Sequence, residues 1–230
     1  MLKFQQNGEK FMEKYIEILK NCPLFKDIED ENILRLLKCL NAKVSFFDKK
    51  YTVFTEGTKA KYIGIVLSGA VQTEFTDYYG NRSIFNISNP GETFCEAFSC
   101  AGTESLPVCA VASKPSEIMF IDSSHILHTC SSSCGFHSQL IFNLMRNIAE
   151  KNVELHRRTE INSGRTTREK LLTYLSMQAK KENSNSFYIP FNRQELADYL
   201  EADRSGLSSE IGKLIKEGII SSKKNYFELH

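Results

Sequence analysis

Apolar residues follow two different periods along the chain, and the change of period divides the sequence. At the start, apolar side chains recur at helical spacing over residues 9–19 and again over 28–40. Cys22-Pro23 separates the two predicted helices, because proline cannot continue a helix. Asp30 or Glu31 suits the positively polarised N-terminal end of the second helix.

Between residues 42 and 122, short runs of β-branched and aromatic residues alternate with glycines. This texture is typical of short antiparallel strands joined by turns, as in a roll, barrel or sandwich. Tyr79-Gly80-Asn81 is predicted to be a hairpin turn, since glycine adopts positive φ at low cost. The predicted strands are 44–47, 51–54, 62–67, 70–75, 82–87, 109–112 and 118–121.

A longer helical pattern covers residues 141–162. Its seam positions are spaced alternately four and three residues apart, which is a heptad repeat, and charged residues lie off the seam. This strict 3.5-residue repeat favours a parallel dimer helix over a helix packed on its own domain, and the polar half after Asn152 is expected to be weaker. The seam positions are Ile141, Met145, Ile148, Asn152, Leu155, Thr159 and Asn162.

The C-terminal part predicts a helix-turn-helix followed by a β-hairpin wing. Ser163-Gly164 ends the long helix, and Thr166-x-x-Glu169 and Asn192-x-x-Glu195 have the spacing of capping boxes. Helices are predicted at 168–179, 194–200 and, capped by Asp203, at 204–217, with a strand at 187–190 and a hairpin around 221–225. The predicted inward residues of the last two helices are Leu196, Ala197, Leu200, Leu207, Ile211, Leu214 and Ile215.

A short turn between two such helices lets the second helix lie in the major groove of DNA. Its outward side chains would contact base edges and phosphates, and the wing lysines would contact phosphates. The alternative is a small helical domain with solvated hydroxyls, since this part of the chain is only slightly basic. The predicted DNA-contact residues are Arg193, Gln194, Arg204, Ser205, Ser208, Ser209, Lys213, Lys223 and Lys224.

Composition and charge change this picture little. Hydrophobic residues make up 41% and charged residues 25% of 230 residues, as in ordinary globular proteins. The sequence contains neither an apolar run long enough for a transmembrane helix nor a signal peptide, so we expect a cytoplasmic protein without membrane contact. A net charge of +1 neither supports nor excludes nucleic-acid binding. The seven cysteines are expected to be reduced thiols.

Over roughly residues 20 to 228 the chain resembles the Crp/Fnr family of bacterial regulators. The C-terminal motifs are Arg193-Gln-Glu-Leu-Ala-Asp-Tyr-Leu, Arg204-Ser-Gly-Leu-Ser-Ser-Glu-Ile and Leu214-Ile-Lys-Glu-Gly-Ile-Ile. The N-terminal motifs are Phe54-x-Glu56-Gly57, Tyr62-Ile-Gly-Ile-Val-Leu-Ser-Gly69, Gly80, and Gly91-Glu-Thr-Phe-Cys-Glu96.

The resemblance implies an α+β fold with an N-terminal antiparallel β-roll of the cyclic-nucleotide-binding type, a long dimerisation helix and a C-terminal winged helix-turn-helix. We expect these parts at residues 1–135, 136–163 and 164–230. The resemblance also implies a homodimer, a palindromic operator of double-stranded DNA, and RNA polymerase as a partner. In the mechanism we expect, an effector bound between roll and dimer helix alters the seam beyond Asn152, and the Ser163-Gly164 break lets the DNA-binding domains reorient.

Two departures from the family pattern bear on ligand and DNA. Relatives that bind cAMP carry Arg then Ser or Thr where this chain has Leu106-Pro107, and Gly where it has Cys95. Leucine cannot pair with a phosphate and proline has no N–H to donate, so we predict an unknown small-molecule effector other than cAMP. Many relatives also carry Arg in place of Ser209. The predicted pocket residues are Phe94, Cys95, Glu96, Phe98, Leu106, Pro107, Val108, Leu144 and Ile148, which favour a neutral or aromatic ligand.

Other sensor chemistries are alternatives on the same fold. A thiol-redox sensor would use Cys95, Cys100, Cys109, Cys130 or Cys134, and a haem or metal sensor would use His125, His128, Cys130 or His137. An iron–sulfur cluster is disfavoured because only Cys22 precedes the roll. We predict no metal site, and the sequence identifies no cofactor.

Two other classes of protein are alternatives to a regulator. An enzyme on a cupin-like roll would need several histidines across the strands, and residues 42–122 contain none, so we predict that the protein is not an enzyme. A module acting on a protein partner instead of DNA would fail to select any DNA sequence.

Overall fold

The structure is a computed structural model of the chain, and it describes residues 12–76, 78–79, 82–127 and 135–230, with 76, 82–85 and 127 as backbone alone. The chain forms two compact units, Met1–Ala149 and Glu150–His230. The predicted turn residues Gly80 and Asn81, and the predicted helical positions before residue 12, lie outside the described residues.

Short helices open the first unit, close to where the apolar spacing predicts them. A 3-10 turn at Glu13–Tyr15 leads into α1 (Ile16–Lys20), a second 3-10 turn covers Pro23–Phe25, and α2 spans Asp30–Cys39. Asp30 and Glu31 occupy the first turn of α2, as predicted, where negative charge suits the helix dipole.

Two four-stranded antiparallel sheets make up the roll, in the orders β1-β8-β3-β6 and β2-β7-β4-β5. Each predicted run forms a strand. A two-residue strand and the short helix Glu96–Cys100 were not predicted, because such short elements leave no periodic pattern. The elements are β1 Lys43–Phe47, β2 Thr52–Phe54, β3 Tyr62–Ser68, β4 Val71–Thr76, β5 Arg82–Ser88, β6 Thr93–Phe94, α3 Glu96–Cys100, β7 Cys109–Ala112, β8 Ser116–Asp122 and α4 Ser123–Leu127.

The central strand β3 is buried on both faces, which explains its continuous apolar run. Ile63 and Ile65 pack with the N-terminal helices, whereas Val66 packs with the other sheet. The Phe94 ring lies directly over Gly64, so closely that a Cβ at Gly64 would stand 2.2 Å from the ring. Phe94, two residues before α3, is therefore held against the centre of the roll.

The long helix α5 spans Gly135–Asn162. In the first unit its buried face carries Leu140 and Leu144, which join the core beneath the sheet. Two buried asparagines on the same face make hydrogen bonds: the Asn143 amide donates to the Leu24 and Lys26 carbonyls at 3.0 and 2.7 Å, and the Asn147 amide donates to the Thr93 hydroxyl at 2.9 Å.

The second unit contains the helix-turn-helix and the wing. α6 (Thr167–Glu182) begins with the predicted capping box of Thr166 and Glu169. The other elements are β9 Ser186–Tyr188, α7 Arg193–Tyr199, α8 Arg204–Lys216, β10 Ile220–Lys223 and β11 Tyr226–Leu229, and the strands pair in the antiparallel order β10-β11-β9. The core includes Leu171, Tyr174, Leu175, Leu196, Ala197, Leu200, Leu207, Ile211, Leu214 and Phe227.

Ile215 was predicted to face inward, and this prediction is wrong, since 43% of the residue is exposed. Leu207, Ile211 and Leu214 already form the buried stripe of α8. Ile215 lies about 100° around the helix from Leu214, at the solvent edge of that stripe.

Candidate DNA-binding surface and effector cavity

The outward face of α8 is presented as the sequence predicts. Asp203 caps the helix, and its carboxylate accepts hydrogen bonds from the Gly206 N–H at 2.8 Å and from the Ser205 hydroxyl. These bonds hold the pKa of Asp203 below its usual value. The recognition face, which we define as Arg204, Ser205, Ser208 and Ser209, is exposed while Leu207 is buried beneath it.

The predicted contacts on α7 and the wing have differing surroundings. Arg193 donates to the Ser222 hydroxyl at 2.7 Å, and its guanidinium lies 4.9 Å from the centre of the Phe227 ring. Burial lowers the pKa of Arg193. This side chain therefore braces the wing against α7, a role that sequence reasoning missed. Lys223 and Lys224 at the wing tip are exposed.

Gln194 is exposed and donates to Asp198 at 2.9 Å, and Lys213 lies 3.1 Å from a Glu210 oxygen. The structure thus brings the predicted contacts on α7, α8 and the wing into the same compact unit. Whether each residue contacts DNA stays a prediction.

The predicted seam of α5 splits into two groups by burial. Ile141 and Ile148 are half-buried against the core of the first unit. Met145 and Leu155 are 61% and 59% exposed, and Asn152 and Thr159 are also exposed. Phe142 and Val153 are exposed apolar residues on the same helix that the heptad count did not select.

The Ser163-Gly164 break is packed on both sides within the second unit. Ile161 before the break shares a core with Leu171 after it. The Tyr199 hydroxyl of α7 donates to the Glu154 carboxylate at 3.0 Å, and the Arg158 guanidinium lies 5.3 Å from the Tyr199 ring. The end of α5 is therefore fixed to the helix-turn-helix. These contacts argue against free rotation of the chain at Ser163-Gly164.

A cavity of about 340 Å³ opens in the first unit beside α3. It shares Cys95 and Leu106 with the predicted pocket. Leu144 and Ile148 were expected to face the pocket, but they do not line this cavity, because both pack with the core beneath the sheet. The lining residues that β2 and the β2–β3 loop supply were not predicted, although the Phe54-x-Glu56-Gly57 motif lies in this part of the chain. The lining residues are Val53, Phe54, Thr55, Thr58, Lys59, Ala60, Lys61, Tyr62, Cys95, Ser99 and Leu106.

The loop that would hold a cyclic phosphate has a different chemistry here. Leu106 is buried, its N–H donates to the Thr58 carbonyl at 2.8 Å, and its carbonyl accepts from Gly57 at 2.9 Å. Cys95 adopts φ +59°, a left-handed conformation that suits glycine better. Glu96 is buried at the start of α3. The backbone atoms of Leu106 are thus used by the chain itself.

Several of the described cysteines and histidines are buried or have hydrogen-bond partners. Burial, with the nearby Glu96 charge, raises the pKa of the Cys100 thiol to about 11, and the Cys109 sulfur accepts from the Glu56 N–H. A ring nitrogen of His137 lies 2.9 Å from the Ile126 carbonyl, and one of His125 lies 3.2 Å from the Leu40 carbonyl. His128, Cys130 and Cys134 lie outside the described residues.

Comparisons with known proteins match both units. A family model described as a cyclic nucleotide-binding domain matches residues 44–133, and one described as a Crp-like helix-turn-helix domain matches residues 169–230. Comparison with curated proteins finds no match.

Several solved structures share the fold at low identity. FixK2 from Bradyrhizobium japonicum is 20% identical, with TM-score 0.50 over 82% of this chain and 92% of that one. The global regulator CLP from Xanthomonas campestris is 15% identical, with TM-score 0.57 over 88% and 99%. The sensor domain of the regulator DNR from Pseudomonas aeruginosa is 21% identical, with TM-score 0.51 over 66% and 95%.

A domain of the cyclic-nucleotide-binding type followed by a Crp-like helix-turn-helix defines a class of DNA-binding transcription regulators, not of enzymes. The chain belongs to the Crp/Fnr family. Members of this family are dimeric. Among the described residues, no helix is long and apolar enough to cross a membrane.

Proposed function

We propose that this regulator is a homodimer that binds a palindromic operator and is controlled by a small organic effector other than cAMP. The observation that carries the effector part is Leu106-Pro107 in the phosphate loop, where Leu106 is buried and Pro107 is exposed. A cyclic phosphate placed there would lose its hydration without gaining a cation, which is costly. CLP, which shares this fold, is described as responsive to c-di-GMP, so the fold is compatible with effectors other than cAMP.

The cavity beside α3 supports a ligand that is largely neutral. Its walls combine Phe54, Tyr62 and Leu106 with the hydroxyls of Thr55 and Thr58. Such a mixture, apolar walls with a few polar groups, is typical of sites for small organic molecules. Lys59 and Lys61 also line the cavity, but they pair with Glu104 and Asp122.

The link from cavity to dimer helix would run through β6. Cys95 lines the cavity, and Thr93, two residues earlier, accepts a hydrogen bond from Asn147 of α5. An effector that shifts the Cys95 backbone would therefore shift or break the Thr93–Asn147 contact. The ligand can drive this change only through different affinities for the two states.

Exposed apolar residues of α5 support the dimer. Phe142, Met145, Val153 and Leu155 are large and half or more exposed, which is unusual for a solvated helix. We propose that they form the contact between subunits together with Asn152, whose burial in a seam would cost stability but fix the register. Ile141 and Ile148 contribute less, because their own domain already covers most of each.

On DNA, two copies of α8 would reach half-sites roughly 34 Å apart. The recognition face would contact bases and phosphates. Arg204 is the residue best suited to bind both, because its planar guanidinium can donate to two acceptors at once. Lys223 and Lys224 would contact phosphates from the wing. RNA polymerase is a further partner that the family relationship favours.

Thiol-redox sensing is the second candidate, favoured by the position of Cys95 in the cavity wall. It is weakened at Cys100, because a thiol with a pKa of about 11 stays protonated and unreactive at neutral pH.

Native mass spectrometry of protein purified without oxygen tests the effector proposal. A dimer carrying an organic molecule supports it and identifies the ligand. A bare dimer whose DNA binding depends on oxidation favours the thiol sensor, and a monomer contradicts the dimer. Added cAMP should leave the melting temperature unchanged; a stabilised protein would contradict the argument from Leu106. Selection from a random duplex library should return a palindrome.

A further inference from the structure

Arg168 of α6 joins two carboxylates of the recognition helix α8. One of its terminal nitrogens donates to Glu217 at 3.0 Å and to Glu210 at 3.3 Å, and the other nitrogen donates to the second oxygen of Glu217. Glu210 and Glu217 are two helical turns apart. A single guanidinium therefore fixes two points of α8 against α6.

Glu210 occupies an unusual place in α8. With Leu207, Ile211 and Leu214 it completes the helical pattern that faces the core, and its side chain is only 14% exposed. A carboxylate in that position needs a cation, because a charge shielded from water is costly unless it is paired. Two cations are within reach: Arg168 from α6 and, at 3.1 Å, Lys213 from α8 itself.

The two cations differ in what else they can do. Arg168 is held by both oxygens of Glu217, so its fork is oriented toward Glu210. Lys213 is 61% exposed on a flexible stem and is a predicted phosphate contact. Lys213 can turn to DNA only if Glu210 keeps a second partner.

We propose that Arg168 is a positioning residue that neutralises Glu210 so that Lys213 is released to a DNA phosphate. The proposal rests on the proposed DNA-binding surface. In solution Glu210 shares the two cations; on DNA, Lys213 exchanges the carboxylate for a phosphate, and Arg168 alone retains Glu210. Without Arg168, Glu210 would hold Lys213, and the phosphate contact would be lost although Lys213 is intact.

The test measures how the affinity of the full-length dimer for its selected operator depends on salt, because each phosphate contact contributes about 0.9 to the slope of log K against log salt. Lys213→Gln should reduce the magnitude of the slope by about 1.8 per dimer, because each of the two subunits loses one phosphate contact. This change corresponds to about a 30-fold loss of affinity at 0.15 M salt. Arg168→Gln should give a similar loss while leaving Lys213 in place. Arg168→Gln combined with Glu210→Gln should restore the wild-type slope.

This rescue separates positioning from support of the fold. If Arg168 only stabilised the domain, removing a second charged group would not restore the slope, and melting curves of each variant would show whether the fold was lost. Glu210→Gln alone should keep the slope, because residue 210 then no longer attracts Lys213, while Arg168 still holds Glu217.

An unchanged slope in Arg168→Gln, or no recovery in the double variant, would overturn the proposal. An unchanged slope in Lys213→Gln would also overturn it, and sequence-specific DNA binding would then survive without this contact. A wild-type protein that selects no DNA sequence would instead refute the proposed function.

Discussion

Asn143 is expected to be the main polar attachment of α5 to the sensor unit, and Asn143→Leu tests this. The side chain is 4% exposed, and its amide donates to the Leu24 and Lys26 carbonyls. Leucine has the same number and branching of side-chain heavy atoms but donates no hydrogen bond. The Leu24 carbonyl would be left buried and unsatisfied, which costs about 1–3 kcal/mol, whereas water can reach the partly buried contact at Lys26.

We therefore expect Asn143→Leu to lower the free energy of unfolding by about 2 kcal/mol. For a chain of this length that corresponds to a melting temperature about 4–8 °C lower, measured by circular dichroism or calorimetry. Asn152→Leu is the matched control, because it makes the same change on the same helix at a site that is exposed within one subunit and that only the proposed dimer contact would cover. It should not destabilise the protein. A shift in Asn143→Leu below about 1 °C would refute the claim that these hydrogen bonds hold the helix.

Three further predictions test local geometry. Gly64→Ala should lower the free energy of unfolding, measured in urea, by about 2 kcal/mol, because its Cβ would overlap the Phe94 ring. Adding Phe94→Leu should recover part of this loss. No recovery would show that the ring is not the cause. Cys95→Gly should be more stable than Cys95→Ala by about 1 kcal/mol, because only alanine retains the cost of positive φ. Asp203→Ala should destabilise the second unit by about 1 kcal/mol, since the Gly206 N–H loses its partner. It should also weaken operator binding in a mobility-shift assay. Undiminished binding would contradict this role for the cap.

Helix starts are the features that the sequence alone determined best. Thr166, Asn192 and Asp203 each cap a helix at the predicted position. A cap is a hydrogen bond between residues two or three apart, so all its atoms are present in a short stretch of sequence. The order of strands and helices followed for a similar reason, because hydrophobic periodicity is a local property.

The tertiary structure decided which part of the protein an apolar or charged helix face packs against. The heptad repeat of α5 does not distinguish Ile141 and Ile148, which pack on their own domain, from Met145, which is exposed. The same limit explains Ile215, because periodicity shows that a stripe exists but not where its solvent edge falls.

The sites show the same division. Family motifs located the residues of the phosphate loop, including Leu106 and Cys95, since these stand at fixed distances from glycines in the chain. The cavity also uses Phe54 and Tyr62. Arg168 reaches Glu210 across 42 residues, and Arg193 reaches Ser222 across 29. Contacts over such separations arise only when the chain folds back on itself, so the sequence determined the elements and their ends, while packing alone decided which side chains meet.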